Sequence, residues 1–239
     1  DTSEIVFTSC GTESNNYAIH SSLEAHPDKK HVVTTKVEHP AVLNVCKYFG
    51  KNGYEVTELG VNNDGMLDLD ELRDSIRDNT AIVSIMHANN ETGVIFPIEE
   101  IGKIVKEKGV IFHCDAVQAI GKIPVNLKNS NIDLLSMSGH KLHAPKGVGV
   151  LFIRKGVRID PLIIGGHQED NRRSGTENVP YIIGLGKACE IAEGFVKEEQ
   201  TEVRRLRDKL EKGIKDQLTH VAISGENSER LPNTSNVSF

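Results

Sequence analysis

The chain has 239 residues, a formal net charge of −6 and 26% charged residues. That balance suits a globular protein with one large domain or two smaller ones, and its mild acidity argues against a nucleic-acid partner. No apolar run approaches the roughly 20 residues of a membrane helix, so no membrane partner is expected.

The first residues, Asp1-Thr2-Ser3-Glu4, hold neither an initiator Met nor a signal peptide, and residues 235–239 stop in a strand-like pattern. Both ends therefore read as cut. Cys10, Cys46, Cys114 and Cys189 are widely spaced with no CxxC pair. No metal site is expected from them, and reduced thiols in a cytoplasmic setting are.

Residues 5–9 read as a strand, and residues 15–24 as a helix. Between them the chain turns at Gly11, and Thr12 sits where free N–H groups favour an anion, or simply cap the helix. A second strand covers 31–36, and Pro40 opens a helix over 41–51 with His39 held just before it. A strand at 55–59, a short helix at 68–76 and a buried strand at 81–86 come next. The polar loop 87–93, carrying Asn90, leads to a helix over 98–108. The strand 110–114 ends at Asp115, a residue that could also cap a helix.

The apolar run 132–135 reads as a short buried strand, followed by Ser138-Gly139-His140-Lys141. A lysine there suits a buried amine, because burial disfavours the ammonium form; an ordinary solvated turn lysine is the alternative. A glycine-flanked strand covers 147–153. The long polar loop 165–178 carries Arg172 and Arg173, a pair that suggests a binding role. From 179 to about 218 the pattern is helical. Val203, Leu206, Leu210, Ile214 and Leu218 form an apolar face expected to meet the core or another domain. Residues 221–224 begin another strand.

Alternating strands and helices from residue 5 to 117 argue for an α/β fold, a mostly parallel sheet flanked by helices. Ligands of such sheets bind beyond the carboxyl ends of the strands. Thr12, His39, Asn90, Asp115 and Lys141 each follow a predicted strand, so they should gather on one edge. Singly each has an ordinary reading. Together they fit pyridoxal phosphate, which needs a lysine for its aldehyde, a carboxylate for its ring nitrogen and donors for its phosphate. Lys141 and Asp115 supply the first two. His39 would lie on the ring face and Gln118 would donate to the ring hydroxyl. Thr12, Ser138 and His140 would hold the phosphate.

Ordered motifs carry a likeness over essentially the whole chain. They are Thr8-Ser9-Cys10-Gly11-Thr12-Glu13-Ser14-Asn15, Val37-Glu38-His39-Pro40-Ala41-Val42, Ala88-Asn89-Asn90-Glu91-Thr92-Gly93, His113-Cys114-Asp115-Ala116-Val117-Gln118, Ser138-Gly139-His140-Lys141 and Arg172-Arg173-Ser174-Gly175-Thr176-Glu177-Asn178. On these motifs the chain resembles the pyridoxal-phosphate-dependent cysteine desulfurases of the NifS type. The resemblance implies an aspartate-aminotransferase-like fold, with a cofactor-binding large domain over 1–195 and the start of a smaller α+β C-terminal domain over 196–239. It implies Lys141, His39 and Asp115 as catalytic residues. It implies Gly11, Thr12, Asn90, Gln118, Ser138, Gly139 and His140 as cofactor contacts. Thr176 would reach the phosphate in the other subunit of a homodimer.

The implied activity takes sulfur from L-cysteine, releases L-alanine and carries the sulfur as an enzyme persulfide. An iron–sulfur scaffold protein would receive it, for nitrogenase or for general cluster assembly. The family's persulfide cysteine, its N-terminal Asn-Ala-Thr-Thr segment and its distal substrate-binding arginine have no counterpart here. The 239 residues alone are therefore expected to bind cofactor without turning over. Another class V aminotransferase, a selenocysteine-lyase-like enzyme and an inert cofactor-binding scaffold module are the alternatives. The Glu38-His39-Pro40 and Asn89-Asn90-Glu91 runs favour the desulfurase.

Overall fold

The architecture is that of a computed structural model describing residues 1–239. Its centre is built from strands that bury every side chain: β2 (His31–Thr35), β4 (Thr80–Met86) and β7 (Gly149–Ile153). Strands covered on both faces read as apolar runs without alternation, which is how these sequences read. With β1 (Ile5–Thr8), β3 (Glu55–Leu59), β5 (Ile111–Asp115) and β6 (Leu134–Ser138) they form one seven-stranded sheet of order β1-β7-β6-β5-β4-β2-β3. Only β7 runs against the others.

Two apolar layers cover the sheet. On one side α1 (Gly11–Ala25) and α2 (Pro40–Lys51) bring Tyr17, Ile19, Leu23, Val42 and Phe49 onto β2, β4 and β6. On the other, α3 (Leu69–Ser75) and α4 (Ile98–Glu107) bring Leu72, Ile101 and Val105 onto Val33, Val83, Ile85 and Phe112. The Asp68 carboxylate caps α3 by accepting from the N–H groups of Asp70 and Glu71. No helix is long and apolar enough to cross a membrane.

The structure departs from the sequence reading in four places. First, α1 starts at Gly11, not near Asn15, with extended Cys10 as its N-cap, so Gly11 and Thr12 lie in the first helical turn. Second, the strand before Lys141 is Leu134–Ser138, later than the run 132–135. Its serines hid it, since Ser136 points into the interior at a buried histidine. Third, Arg172 and Arg173 are spent on the chain itself. Arg172 donates to the carbonyls of Ser3 and Ile5, and Arg173 pairs with Glu13 at 2.8 Å. These contacts pin the long loop, which contains the short distorted α5 (Gln168–Asn171), against β1 and α1. Fourth, of the two settings expected for the apolar face of the late helix, the core of this sheet is not the one it meets. Leu206 and Leu210 are 50% and 57% exposed, and Leu218 is also exposed. That face turns away from the sheet, and the only buried residue of its helix is Glu211.

That late helix is continuous. α6 (Val179–Glu198) passes through a π turn, Glu199–Val203, into α7 (Arg204–Gln217), so residue 195 lies inside it. A two-stranded pair, β8 (Ala222–Ile223) with β9 (Val237–Ser238), follows, and Leu231 between them joins the large core.

The histidines inside the sheet are paired. His113 on β5 is fully buried, with Nδ1 at 2.8 Å from Ser84 Oγ and Nε2 at 2.9 Å from Ser136 Oγ. Burial pushes its pKa down to about 3. A free histidine protonates near 6.5, so protons favour the unfolded chain across that window. The stability held by neutral His113 is thus present above that range and lost as pH falls through it. Buried Glu38, pushed up to about 8, acts in the opposite direction between its folded and unfolded values. His113→Gln removes only the first effect. The urea-midpoint difference between wild type and this variant should narrow between about pH 7.5 and about pH 5; a constant difference would contradict the assignment.

Candidate active site

Register brings the strand ends level. Met86 pairs with Asp115, and Asp115 with Ser136, so the loops after β4, β5 and β6 leave the sheet side by side. β1 and β2 point the same way, and a cavity of about 240 Å³ opens where these loops meet α1. Thr12, His39, Asn90, Asp115, Gln118, Ser138, His140 and Lys141 all line it, as does Gly11. The expected gathering at one sheet edge is what the structure shows. Gly139 is buried behind the wall, and Thr176 lies exposed on the loop beyond it.

Asp115 is 6% exposed. Its Oδ1 accepts from the Val117 N–H at 3.0 Å and its Oδ2 from the Asn15 side-chain amide at 2.7 Å. Burial raises its pKa above the ordinary carboxylate value, while these two donors and the nearby His39 pull it back. A positive group in the cavity would complete the pairing. Sequence reasoning missed Asn15. It follows Gly11 by one helical turn and is 1% exposed, yet its partner is a hundred residues away. The helical i, i+4 spacing from Gly11 was the available signal.

His39 is the N-cap of α2, with Pro40 in the first turn. Its Nδ1 accepts the Ala41 N–H at 3.1 Å. A backbone N–H can only donate, so the proton of the neutral ring sits on Nε2. The preceding Glu38 turns inward. Its Oε1 accepts from the Met86 N–H and the Thr35 hydroxyl, both at 2.9 Å.

Lys141 lies on a single 3₁₀ turn, Gly139–Leu142, just past β6. It is half-buried, not enclosed as the sequence suggested, because so short a turn over the strand ends leaves one side of its stem open. Ser138 Oγ sits 2.8 Å from His140 Nδ1, and burial with the charges of Lys141 and Lys146 holds the His140 pKa low. Glycine is required at three points in and behind the wall. A Cβ on Gly11 would lie 2.9 Å from Val117 Cγ2, and one on Gly139 would lie 2.9 Å from Val148 Cγ1. A Cβ on Gly149 would lie 2.7 Å from the Cys10 carbonyl carbon. These contacts bring the helix N-terminus, the serine strand and the lysine turn together around the cavity.

The residues fit pyridoxal phosphate. The amine, the buried carboxylate and the hydroxyl and imidazole groups beside a helix N-terminus share one cavity, and Asn15 Oδ1 is buried without a partner. Fold and site together define the class: a pyridoxal-phosphate-type cofactor site on an aspartate-aminotransferase-like fold. The chain belongs to the aminotransferase class-V family, which it matches over residues 1–239.

It is 59% identical over 239 residues to the cysteine desulfurase of Nostoc sp., covering 100% of this chain and 60% of that protein. It is 56% identical over 237 residues to cysteine desulfurase NifS of Azotobacter vinelandii, covering 99% and 59%. A solved NifS-like protein superposes with a TM-score of 0.96 at 45% identity, covering 100% of this chain and 66% of that one. A structure described as SspA in complex with cysteine gives a TM-score of 0.87 at 37% identity, covering 100% and 67%. The chain thus spans about 60% of the length of such curated relatives.

Replacing Asn15 by Ala removes the Oδ2 donor and should raise the Asp115 pKa further. A hydrogen bond to a charged group contributes about 1.5–3 kcal/mol, so pyridoxal phosphate affinity should fall roughly tenfold or more. The acid limb of its binding profile should move to higher pH. Fluorescence titration against pH checks both, and unchanged affinity would remove Asn15 from the site.

Proposed function

We propose that the protein carrying this chain is a cysteine desulfurase that takes sulfur from L-cysteine and releases L-alanine. The observation that carries the reading is the placement of Lys141, Asp115 and the Nε2–H form of His39 around one cavity. The names of its relatives support the reaction, and the cysteine held by a similar solved protein supports the substrate.

Bound pyridoxal phosphate supplies an aldehyde for an amine and a ring that withdraws electrons from the substrate α-carbon. Lys141 is the residue that would hold that aldehyde, and its freed amine would be the base for the proton on the substrate α-carbon. Asp115 would pair as a carboxylate with the ring nitrogen of the bound cofactor. Thr12, Ser138 and His140 would hold the phosphate beside the α1 N-terminus. Gln118 and Asn90 line the same cavity and would contact the ring. His39 would present its Nε2–H to the cavity as a hydrogen-bond donor while the carbon–sulfur bond breaks, because Nδ1 is engaged with Ala41.

The sulfur acceptor is a thiolate. Cys46 and Cys114 do not suit that role: burial pushes Cys46 up to about 12 and Cys114 well above the ordinary thiol value. Cys189 is also raised by burial, and Cys10 sits in the cofactor wall. The likeness to cysteine desulfurases of which this chain spans about 60% supports an accepting cysteine other than these four. Exposed Thr176 supports a homodimer in which it reaches the partner's phosphate, and the likeness to NifS supports delivery to an iron–sulfur scaffold protein. Four unpaired cysteines support a cytoplasmic setting.

Sodium borohydride should fix the cofactor covalently to the wild-type protein and not to Lys141→Ala. With L-cysteine and a thiol, the protein should release alanine in step with sulfide, and the variant should release neither. Covalent fixation in Lys141→Ala, or a keto acid in place of alanine, would overturn the reading.

A further inference from the structure

The loop that brings Asn90 to the cavity is suspended between two anchors. On one side the Asn89 side-chain amide donates to the Val37 carbonyl at 3.0 Å, beside the turn that carries His39. Asn89 Oδ1 accepts from the N–H groups of Glu91 and Thr92 and closes the loop on itself. On the other side the loop meets residues 229–231, far along the chain. Leu231 N–H donates to the Gly93 carbonyl at 2.7 Å, and Ile95 N–H to the Glu229 carbonyl at 2.9 Å. Gly93 has φ +77°, and a Cβ there would lie 2.8 Å from Thr234 Cβ, so the two segments are in close contact.

Residues 229–231 are in turn fixed to α7. Arg230, 6% exposed, makes a two-pronged pair with Glu211 at 2.7 and 2.8 Å. Arg207 donates to the carbonyls of Arg230 at 3.3 Å and Leu231 at 2.7 Å. Each link is a hydrogen bond with a buried or half-buried member, and the series runs from α7 to the cavity wall. Bidentate arginine–carboxylate pairs set direction as well as distance.

We infer that Glu211, Arg230 and Arg207 are positioning residues for the cofactor site, holding the 89–93 loop so that Asn90 meets the ring. The inference rests on reading the cavity as a pyridoxal-phosphate site. It also gives the segment after α7 a part in the chemistry, although none of its side chains lines the cavity.

The test is a double-mutant cycle on cofactor affinity, measured by fluorescence titration of the protein with pyridoxal phosphate. Arg230→Gln should weaken binding about fivefold or more, the size of ordinary coupling between sites. In an Asn90→Ala background the same change should have little further effect, because it acts through Asn90. Arg230→Lys, which keeps a charge against Glu211 but not the two-pronged pairing, should recover only part of the affinity. Equal losses in both backgrounds, or no loss in either, would overturn the inference. If Arg230→Gln does not fold, Arg207→Gln loosens the same carbonyls while leaving the buried pair intact, and it is read by the same cycle. Failure of the wild-type protein to take up pyridoxal phosphate would instead sink the reading of the cavity itself.

Discussion

A buried carboxylate at the end of a central strand is the constraint from which the site follows. Asp115 is withdrawn from water, which disfavours its charge, and only two donors reach it from the protein. One is the N–H two residues on, a local turn contact. The other comes from α1, so the helix must sit close enough for Asn15 to reach across the sheet edge. Gly11 and Gly149 make that approach possible, since any side chain at either would strike its neighbours. The same closeness sets the first turn of α1 beside Ser138 and the lysine turn. Anion donors, carboxylate and amine are thereby placed by one packing decision.

Ordinary helix chemistry does a second job at His39. Capping α2 is a structural task, and hydroxyl or amide side chains usually perform it. An imidazole in that place becomes a single tautomer, with its remaining proton on the far nitrogen. Glu38 beside it is equally constrained but inward, bridging the ends of β2 and β4 through Thr35 and Met86. Of two neighbouring acids in this interior, burial and shared hydrogen bonds keep Glu38 away from the cavity while Asp115 opens onto it.

The cavity is therefore not the product of the sheet alone. Its far wall, the 89–93 loop, has an anchor in the β2 end and another in the segment after α7. Because α6 runs unbroken into α7, residues on either side of position 195 share one helix, and Leu231 shares the main core. The later part of the chain is tied to the site by packing and by backbone hydrogen bonds.

Much of this was legible in the order of residues. Apolar strands alternating with helices announce a mostly parallel sheet, and such sheets deliver post-strand residues to one edge. Thr12, His39, Asn90, Asp115 and Lys141 could be grouped for that reason. The late extent of β6 was masked because Ser136 and Ser138 look like loop residues until buried partners are known. Asn15 and the Glu211–Arg230 pair were hidden differently, as their partners lie far along the chain or in an unrelated element. Arg172 and Arg173 showed the reverse error, with charges that looked free for a ligand being used on nearby carbonyls and Glu13. The sequence by itself determined which groups reach the sheet edge, because strand period and chain direction are local properties. Only the tertiary structure decided how each group is held, since a hydrogen bond between distant elements depends on packing that no local pattern encodes.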